Sequence, residues 1–285
     1  MITDPSRDVG IQDRPKVTPI ALLAGGFLAA FLLVVYLPSF RAPFIFDDTQ
    51  NILENATLRS LWPIWHTLRP PLESGLVGRP LVNLSLALNY AWSGTDPWSY
   101  HVANFAIHLG ATLLLWGLLH ALIAGQNAVS SLPLTWRWSL PWICALLWGL
   151  HPLHTQAVTY VIQRCESLMG FFYFAALLAF VRSWNAKRTL LWQGLGLLAF
   201  LACLACKEVA VTMLPVVLAL SWVARGDKPG QAIRKAPLFF FGMLLALAGL
   251  ALAMVLGSGY STHPDHLLPP GLSYIFAQGP ILLRY

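Results

Sequence analysis

Two adjacent acids, Asp47 and Asp48, follow the aromatic turn Phe44-Ile45-Phe46, shortly after an uncharged run from Ile20 to Leu37 that ends at Pro38. In a chain that is 57% hydrophobic and only 11% charged, acids at the edge of an apolar segment are the first place to look for chemistry. Such a pair has a plain structural use, with Asp47 capping a short helix and Asp48 facing water. It also has a chemical one. A carboxylate can take a proton from a hydroxyl, and Asp47 and Asp48 could share a divalent Mg or Mn ion with a substrate phosphate. Further polar and ionisable residues stand at the ends of apolar runs: Arg79, His101 with Asn104 and His108, His151 and His154, Arg164 with Glu166, and Lys207-Glu208. Such groups are costly in a bilayer and tend to mark a pathway or a site.

A base opposite fixed cations, at the depth of lipid phosphates, suits transfer of a group from a lipid-linked phosphate donor. The base accepts the proton of an acceptor hydroxyl, and cations hold the phosphate and stabilise the charge that builds as it leaves. In this reading Asp47 is the base, with Asp48 the alternate. Arg164 and Lys207 bind the donor phosphate, while Arg79, His101, Asn104, His151, His154, Glu166 and Glu208 shape the pocket. Plainer roles stand beside each. Lys207-Glu208 could snorkel at the interface. Arg164 and Glu166 are two apart on a helix and so do not face each other. His151-Pro152 is a suitable helix start, and His101 and His108 suit hydrogen-bonded interior positions. Asn55-Ala56-Thr57 and Asn83-Leu84-Ser85 match the glycosylation pattern, a weak three-residue signal. His263-Pro264-Asp265-His266 reads as a polar loop before a metal site. Cys203 and Cys206 lie in an apolar run without a second pair and read as packing residues.

Positioning these groups falls to apolar helices. Runs near 20 residues recur, as expected of an all-α polytopic membrane protein with a helix bundle of about seven spans. The N-terminal tail, 1–17, is polar, and the run that follows is too long for a cleaved signal, so it reads as a retained anchor. Spans are then expected at about 100–123, 139–150, from His154-Thr155 to 184, 190–206, 209–224 and 237–256. The membrane domain covers 18–256, followed by a loop and the start of a further apolar segment over 257–285. Within the long first loop, 39–98, residues 56–68 read as a short interfacial helix bent by Pro63, with Trp62 and Trp65 at headgroup depth. The stretch 79–92 alternates like a strand. A lone strand there would leave its backbone unpaired, so its Leu and Ala content favours a helix.

Most of the 18 basic residues fall in the N-terminal tail and in loops 124–138, 182–189 and 225–236. That bias puts the N-terminus in the cytoplasm and the site residues at the opposite, non-cytoplasmic edge. Net charge of +6 is thus a matter of topology, and no nucleic-acid partner is expected.

In this order the motifs resemble the membrane domain of the transmembrane-and-TPR-repeat O-mannosyltransferases and their bacterial relatives, within the GT-C glycosyltransferases. They are Phe46-Asp47-Asp48 with Asn51-Ile52 and Asn55; Gly78-Arg79-Pro80-Leu81 leading to Leu88-Asn89-Tyr90; Tyr100-His101 with Asn104 and His108; His151-Pro152-Leu153-His154-Thr155 with Val158; Arg164 with Glu166; and Lys207-Glu208. The resemblance implies a polyprenyl-phosphate-linked sugar as donor and a protein Ser/Thr, lipid or glycan hydroxyl as acceptor. It further implies inversion at the sugar, with catalysis on the periplasmic face of a bacterial inner membrane or the luminal face of an endoplasmic reticulum membrane. Two departures are visible. No repeat of TPR length is present, and family members continue into another span where this chain reaches Arg284-Tyr285, which points to a portion of a longer protein. The rival readings are a transporter, which calls for polar groups through the full bilayer depth, and a non-catalytic assembly subunit.

Overall fold

The computed structural model describes residues 19–71, 74–124 and 133–257. The N-terminal tail, the expected 257–285 tail beyond Gly257 and the His263–His266 motif lie outside the described residues. Helices make up the fold, and the described residues contain no strand. In chain order they are α1 (Pro19–Tyr36), α2 (Ile64–Thr67), α3 (Pro80–Ser93), α4 (Pro97–Ala124), α5 (Leu134–Gly149), α6 (His154–Thr159), α7 (Arg164–Ser183), α8 (Thr189–Leu204), α9 (Met213–Arg225), α10 (Pro229–Lys235) and α11 (Pro237–Gly257).

Proline opens many of these helices, where its missing N–H costs nothing and its fixed φ suits the first turn. Pro80, Pro97, Pro229 and Pro237 all stand at a first position. The α9 helix ends at Gly226, whose φ of +68° puts it in the left-handed region that glycine enters without penalty.

Among the described residues, four helical segments are long and apolar enough to cross a membrane: Pro19–Arg41, Pro97–Ile123, Val161–Ser183 and Glu208–Arg225. A fifth arises if α10 and α11, bent by 106° at their junction, count as one. The α5 and α8 helices have 16 residues each, short of the ~20 residues a full crossing uses. The expected seven spans therefore correspond to a mixture of full-length and short helices. Helix α3 forms where the alternating pattern was ambiguous. The expected interfacial helix over 56–68 is instead a short 3₁₀ turn (Ala56–Leu58) and the single-turn α2, with Pro63 between them and Trp62 and Trp65 exposed. Proline at that point has no N–H to continue a helical ladder. The fourth expected span is also not continuous: α6 stops at Thr159, a 3₁₀ turn covers Val161–Gln163, and α7 starts at Arg164.

The bundle is organised on α7, which packs on α4 and α8. Closeness at α4–α7 depends on Gly110, where a Cβ would sit 2.8 Å from the Phe171 ring. Small residues of this kind let helix backbones approach in a membrane. Phe180, Phe200, Phe239, Phe240 and Met243 fill the core among α7, α8 and α11. A separate apolar cluster of Ile52, Leu58, Leu76, Val82, Leu86 and Tyr100 fastens the first loop to α3, α4 and residues 161–165. One end of the bundle thus collects the first loop, the α5–α6–α7 turns and the α8–α9 turn.

Candidate active site

Residues 160–166, between α6 and the body of α7, hold the other site elements through both backbone and side-chain groups. Asp48 is 1% exposed. One carboxylate oxygen accepts from the Ile162 N–H at 2.8 Å, and the other from the Ile45 N–H at 3.1 Å. The Asp48 N–H returns to the Ile45 carbonyl at 3.0 Å. The acid therefore closes its own turn and ties that turn to the start of α7. Burial raises its pKa above the usual carboxylate value, against the pull of the two peptide N–H groups.

Asp47, one residue earlier, is exposed. Its N–H donates to the Tyr160 hydroxyl at 2.9 Å, and its carbonyl accepts from the Asn51 side-chain amide at 2.8 Å. The Tyr160 hydroxyl is held above its ordinary pKa by partial burial and by the neighbouring Asp47 and Asp48 charges. The capping expectation is thus inverted: Asp48 is the buried structural acid, and Asp47 presents its carboxylate outward.

Arg164 also differs from its expected place. Its side chain is completely buried. Nε donates to Asn104 Oδ1 at 2.6 Å, Nη1 to Asn89 Oδ1 at 2.6 Å and to the Ser85 carbonyl at 3.0 Å, and Nη2 to the Tyr100 carbonyl at 3.0 Å. A guanidinium enclosed and bonded in this way does not face a donor phosphate; it ties α3, α4 and α7 together. Asn104 completes the tie by donating to the Val158 and Val161 carbonyls, both at 3.3 Å. His101 joins the same framework through Ala42, whose carbonyl lies 3.0 Å from Nε2.

Two of the expected cations remain near the surface of this end. Lys207 pairs with Glu166, and Arg79 lies 3.6 Å from Glu208. The Arg79 guanidinium also approaches the Cys165 sulfur at 3.8 Å, and its buried Nε has no partner among the described residues. Glu166 forms part of the wall of a cleft of about 460 Å³ between α4, α6 and α7. Trp148, His108, His154, Gln156 and Gln163 share that wall. Trp148 packs on His154 with ring centroids 4.3 Å apart, and His108 fixes the floor through the Gly149 carbonyl at 2.8 Å. Partial burial and His151 lower the pKa of His154, so its ring favours the neutral form. His151 itself is exposed, with its ring 6.2 Å from that of His154, and is not part of the cleft wall.

Of the expected residues, Asp47, Asp48, Arg79, Glu166, Lys207 and Glu208 are drawn to the 160–166 turn or to the α8–α9 turn beside it. Arg164, Asn104 and His101 are framework. Tyr160, Trp148 and Asn89 were not expected as site residues. Tyrosine and tryptophan are so common at membrane interfaces that neither stands out in the sequence; Asn89 lay within a recognised motif, and only its buried position shows the use. Both glycosylation matches belong to the core. Asn55 donates to Asn83 Oδ1 at 3.0 Å, and Asn83 donates to the Thr67 carbonyl at 2.6 Å, each side chain being buried.

Each Asp48 oxygen already accepts one peptide N–H, and the Asp47 carboxylate lies beside the Tyr160 hydroxyl. No cluster of three His, Cys, Asp or Glu side chains fit to hold a metal occurs among the described residues.

Apolar membrane-length helices with a cluster of acids, amides and cations at one bundle end define a multi-pass membrane protein with a polar site at its edge. No family model matches the chain, and no solved structure matches it. Curated proteins do. The human protein O-mannosyl-transferase TMTC3 is 29% identical over 237 residues, 77% of this chain and 24% of that protein. Protein O-mannosyl-transferase tmtc2 of Xenopus laevis is 32% identical over 200 residues, 66% of this chain and 22% of its own length. Drosophila melanogaster Tmtc2, named likewise, is 32% identical over 216 residues, 70% of this chain and 21% of its own length. The chain is related to these O-mannosyl-transferases, as its motifs led one to expect, and spans about a quarter or less of their length.

Proposed function

We propose that the chain forms the catalytic membrane portion of a glycosyltransferase. It would move a sugar, mannose by the names of its relatives, from a polyprenyl-phosphate donor to a protein hydroxyl at the non-cytoplasmic face. The observation that carries this reading is the division of labour between the two acids. Asp48 is consumed in holding the turn, whereas Asp47 is exposed to solvent with its carboxylate and N–H beside the Tyr160 hydroxyl, three residues before Gln163 of the cleft wall.

Asp47 accepts the proton of the acceptor hydroxyl as that oxygen attacks the anomeric carbon. The bond from that carbon to the phosphate oxygen breaks, and the polyprenyl phosphate leaves with the electron pair. Attack opposite the leaving group inverts the centre. Lys207 and Arg79 receive the phosphate. Each is now matched to a single carboxylate, Glu166 or Glu208, and the phosphate, which gains a second charge and a third free oxygen as the sugar leaves it, competes for them. Arg79 thus takes the donor role first expected of Arg164. The sugar occupies the cleft beside Trp148, Gln163 and Glu166, whose volume lies in the range of small-molecule sites. No step is routed through a metal.

The test is transfer from polyprenyl-phosphate mannose to a Ser/Thr peptide by the purified protein in nanodiscs. Asp47→Asn is expected to abolish transfer while leaving the melting temperature in place. Full activity in that variant removes the assignment.

A further inference from the structure

Phe46 has a left-handed backbone, with φ of +46°. Such a conformation is uncommon outside glycine, asparagine and aspartate and is retained where the surroundings over-determine it. The ring is nonetheless 83% exposed, so core packing does not account for it. It stands edge-on to Tyr160, with centroids 6.2 Å apart, and Tyr160 is the group that receives the Asp47 N–H. Phe46 and Asp47 are also held from below: the Phe46 carbonyl accepts from the Thr49 N–H at 3.3 Å, and the Asp47 carbonyl from the Asn51 N–H at 3.0 Å. The strained residue therefore offers an aromatic face one peptide unit from the exposed carboxylate. It is not part of the cleft wall assigned to the donor.

We infer that Phe46, braced by Tyr160, is an acceptor-binding residue that packs against an apolar side chain next to the hydroxyl of an extended peptide acceptor. The inference rests on the reading of Asp47 as the base. An approaching peptide must place its hydroxyl at Asp47, and the side chain beside that hydroxyl then meets the Phe46 ring, which is more exposed than Ile45 on the same turn. Aromatic rings recognise aliphatic and aromatic groups through area and quadrupole together.

Fluorescently labelled peptides with serine flanked by leucine or by glycine, titrated onto the protein in nanodiscs, test this without requiring transfer. Wild type is expected to prefer the leucine peptide. Phe46→Gly, which suits the positive φ and keeps the turn, is expected to weaken binding of that peptide about tenfold, the size of one aromatic contact, and to erase the preference. Phe46→Trp keeps a ring and is expected to retain it. Binding of polyprenyl phosphate is expected to be the same in all three. Equal binding of both peptides by wild type, or unchanged affinity in Phe46→Gly, overturns the inference and leaves the ring as an interfacial anchor. Failure of wild type to transfer sugar, with Phe46-dependent peptide binding intact, counts against the glycosyltransferase reading and not against this one.

Discussion

Asp47 and Asp48 are chemically identical neighbours whose surroundings give them opposite tasks, and substitution separates them. In Asp47→Asn the turn keeps all its backbone bonds, so kcat is expected to fall by ~10²–10⁴ with stability unchanged, as for loss of a general base. In Asp48→Asn one side-chain oxygen becomes an NH₂ facing a peptide N–H. Stability is then expected to drop by about 1–3 kcal/mol, the cost of leaving a buried donor unpaired. Thermal melts and single-turnover transfer, run on both variants, distinguish the two effects. Arg164→Lys is expected to behave like Asp48→Asn but more severely, because a point-charge ammonium cannot reproduce a fork that meets Asn89, Asn104, Ser85 and Tyr100. Its signature is loss of folded protein in detergent; a folded variant with a raised KM for donor alone would contradict the framework role. The acid pair and the cations were legible as a constellation because charge is scarce in this chain. Which acid is free was not legible, since it depends on an N–H of residue 162, far away in sequence. Arg164 looked like a phosphate ligand for the same reason: its carbonyl and amide partners carry no charge and leave no mark in the sequence.

At the scale of elements, the break between α6 and α7 matters most. The apolar run from His154-Thr155 to 184 read as one span, yet the chain turns at Tyr160, and this turn receives Asp47, Asp48 and Asn104. A hydrophobic pattern shows that a segment is apolar over a length but does not show an interruption satisfied by distant side chains. Close contact of α4 with α7 aligns Asn104 with Arg164. Gly110→Ala is expected to push the Phe171 ring and cost about 1–3 kcal/mol by overpacking, read as a lower melting temperature. The α6 helix also gives a pH dependence. The His154 pKa is lowered in the folded protein, so its neutral form is favoured by folding. That contribution is present above the unfolded histidine value and is lost as pH falls through the folded one. Melting temperature is expected to fall on acidification from pH 7, about half a unit above the ~6.5 of unfolded histidine, and to fall less in His154→Gln.

For the molecule as a whole, the arrangement is asymmetric from end to end. The end bearing Asp47, Arg79, Glu166 and Lys207 contrasts with the other, where Asp227 pairs with both Arg225 and Lys235 and Arg225 lies over the Trp184 ring at 5.2 Å. Helical class and the placing of most spans were readable from apolar run length, since the bilayer imposes that length on any spanning helix. The number of full crossings was not, because α5 and α8 are short and α10 meets α11 at a sharp bend.

Asp48 also sets an order of events during synthesis. Its partner at Ile162 is 114 positions later in the chain. The first loop emerges early and waits, with one Asp48 oxygen on the nearby Ile45 N–H and the other without its Ile162 partner, until the start of α7 has been made. The turn that carries Asp47 is tied to α7 at that moment and not before. Nascent chains arrested short of residue 162 are expected to be cut readily by protease in the 44–55 stretch, and chains extended past α7 to resist.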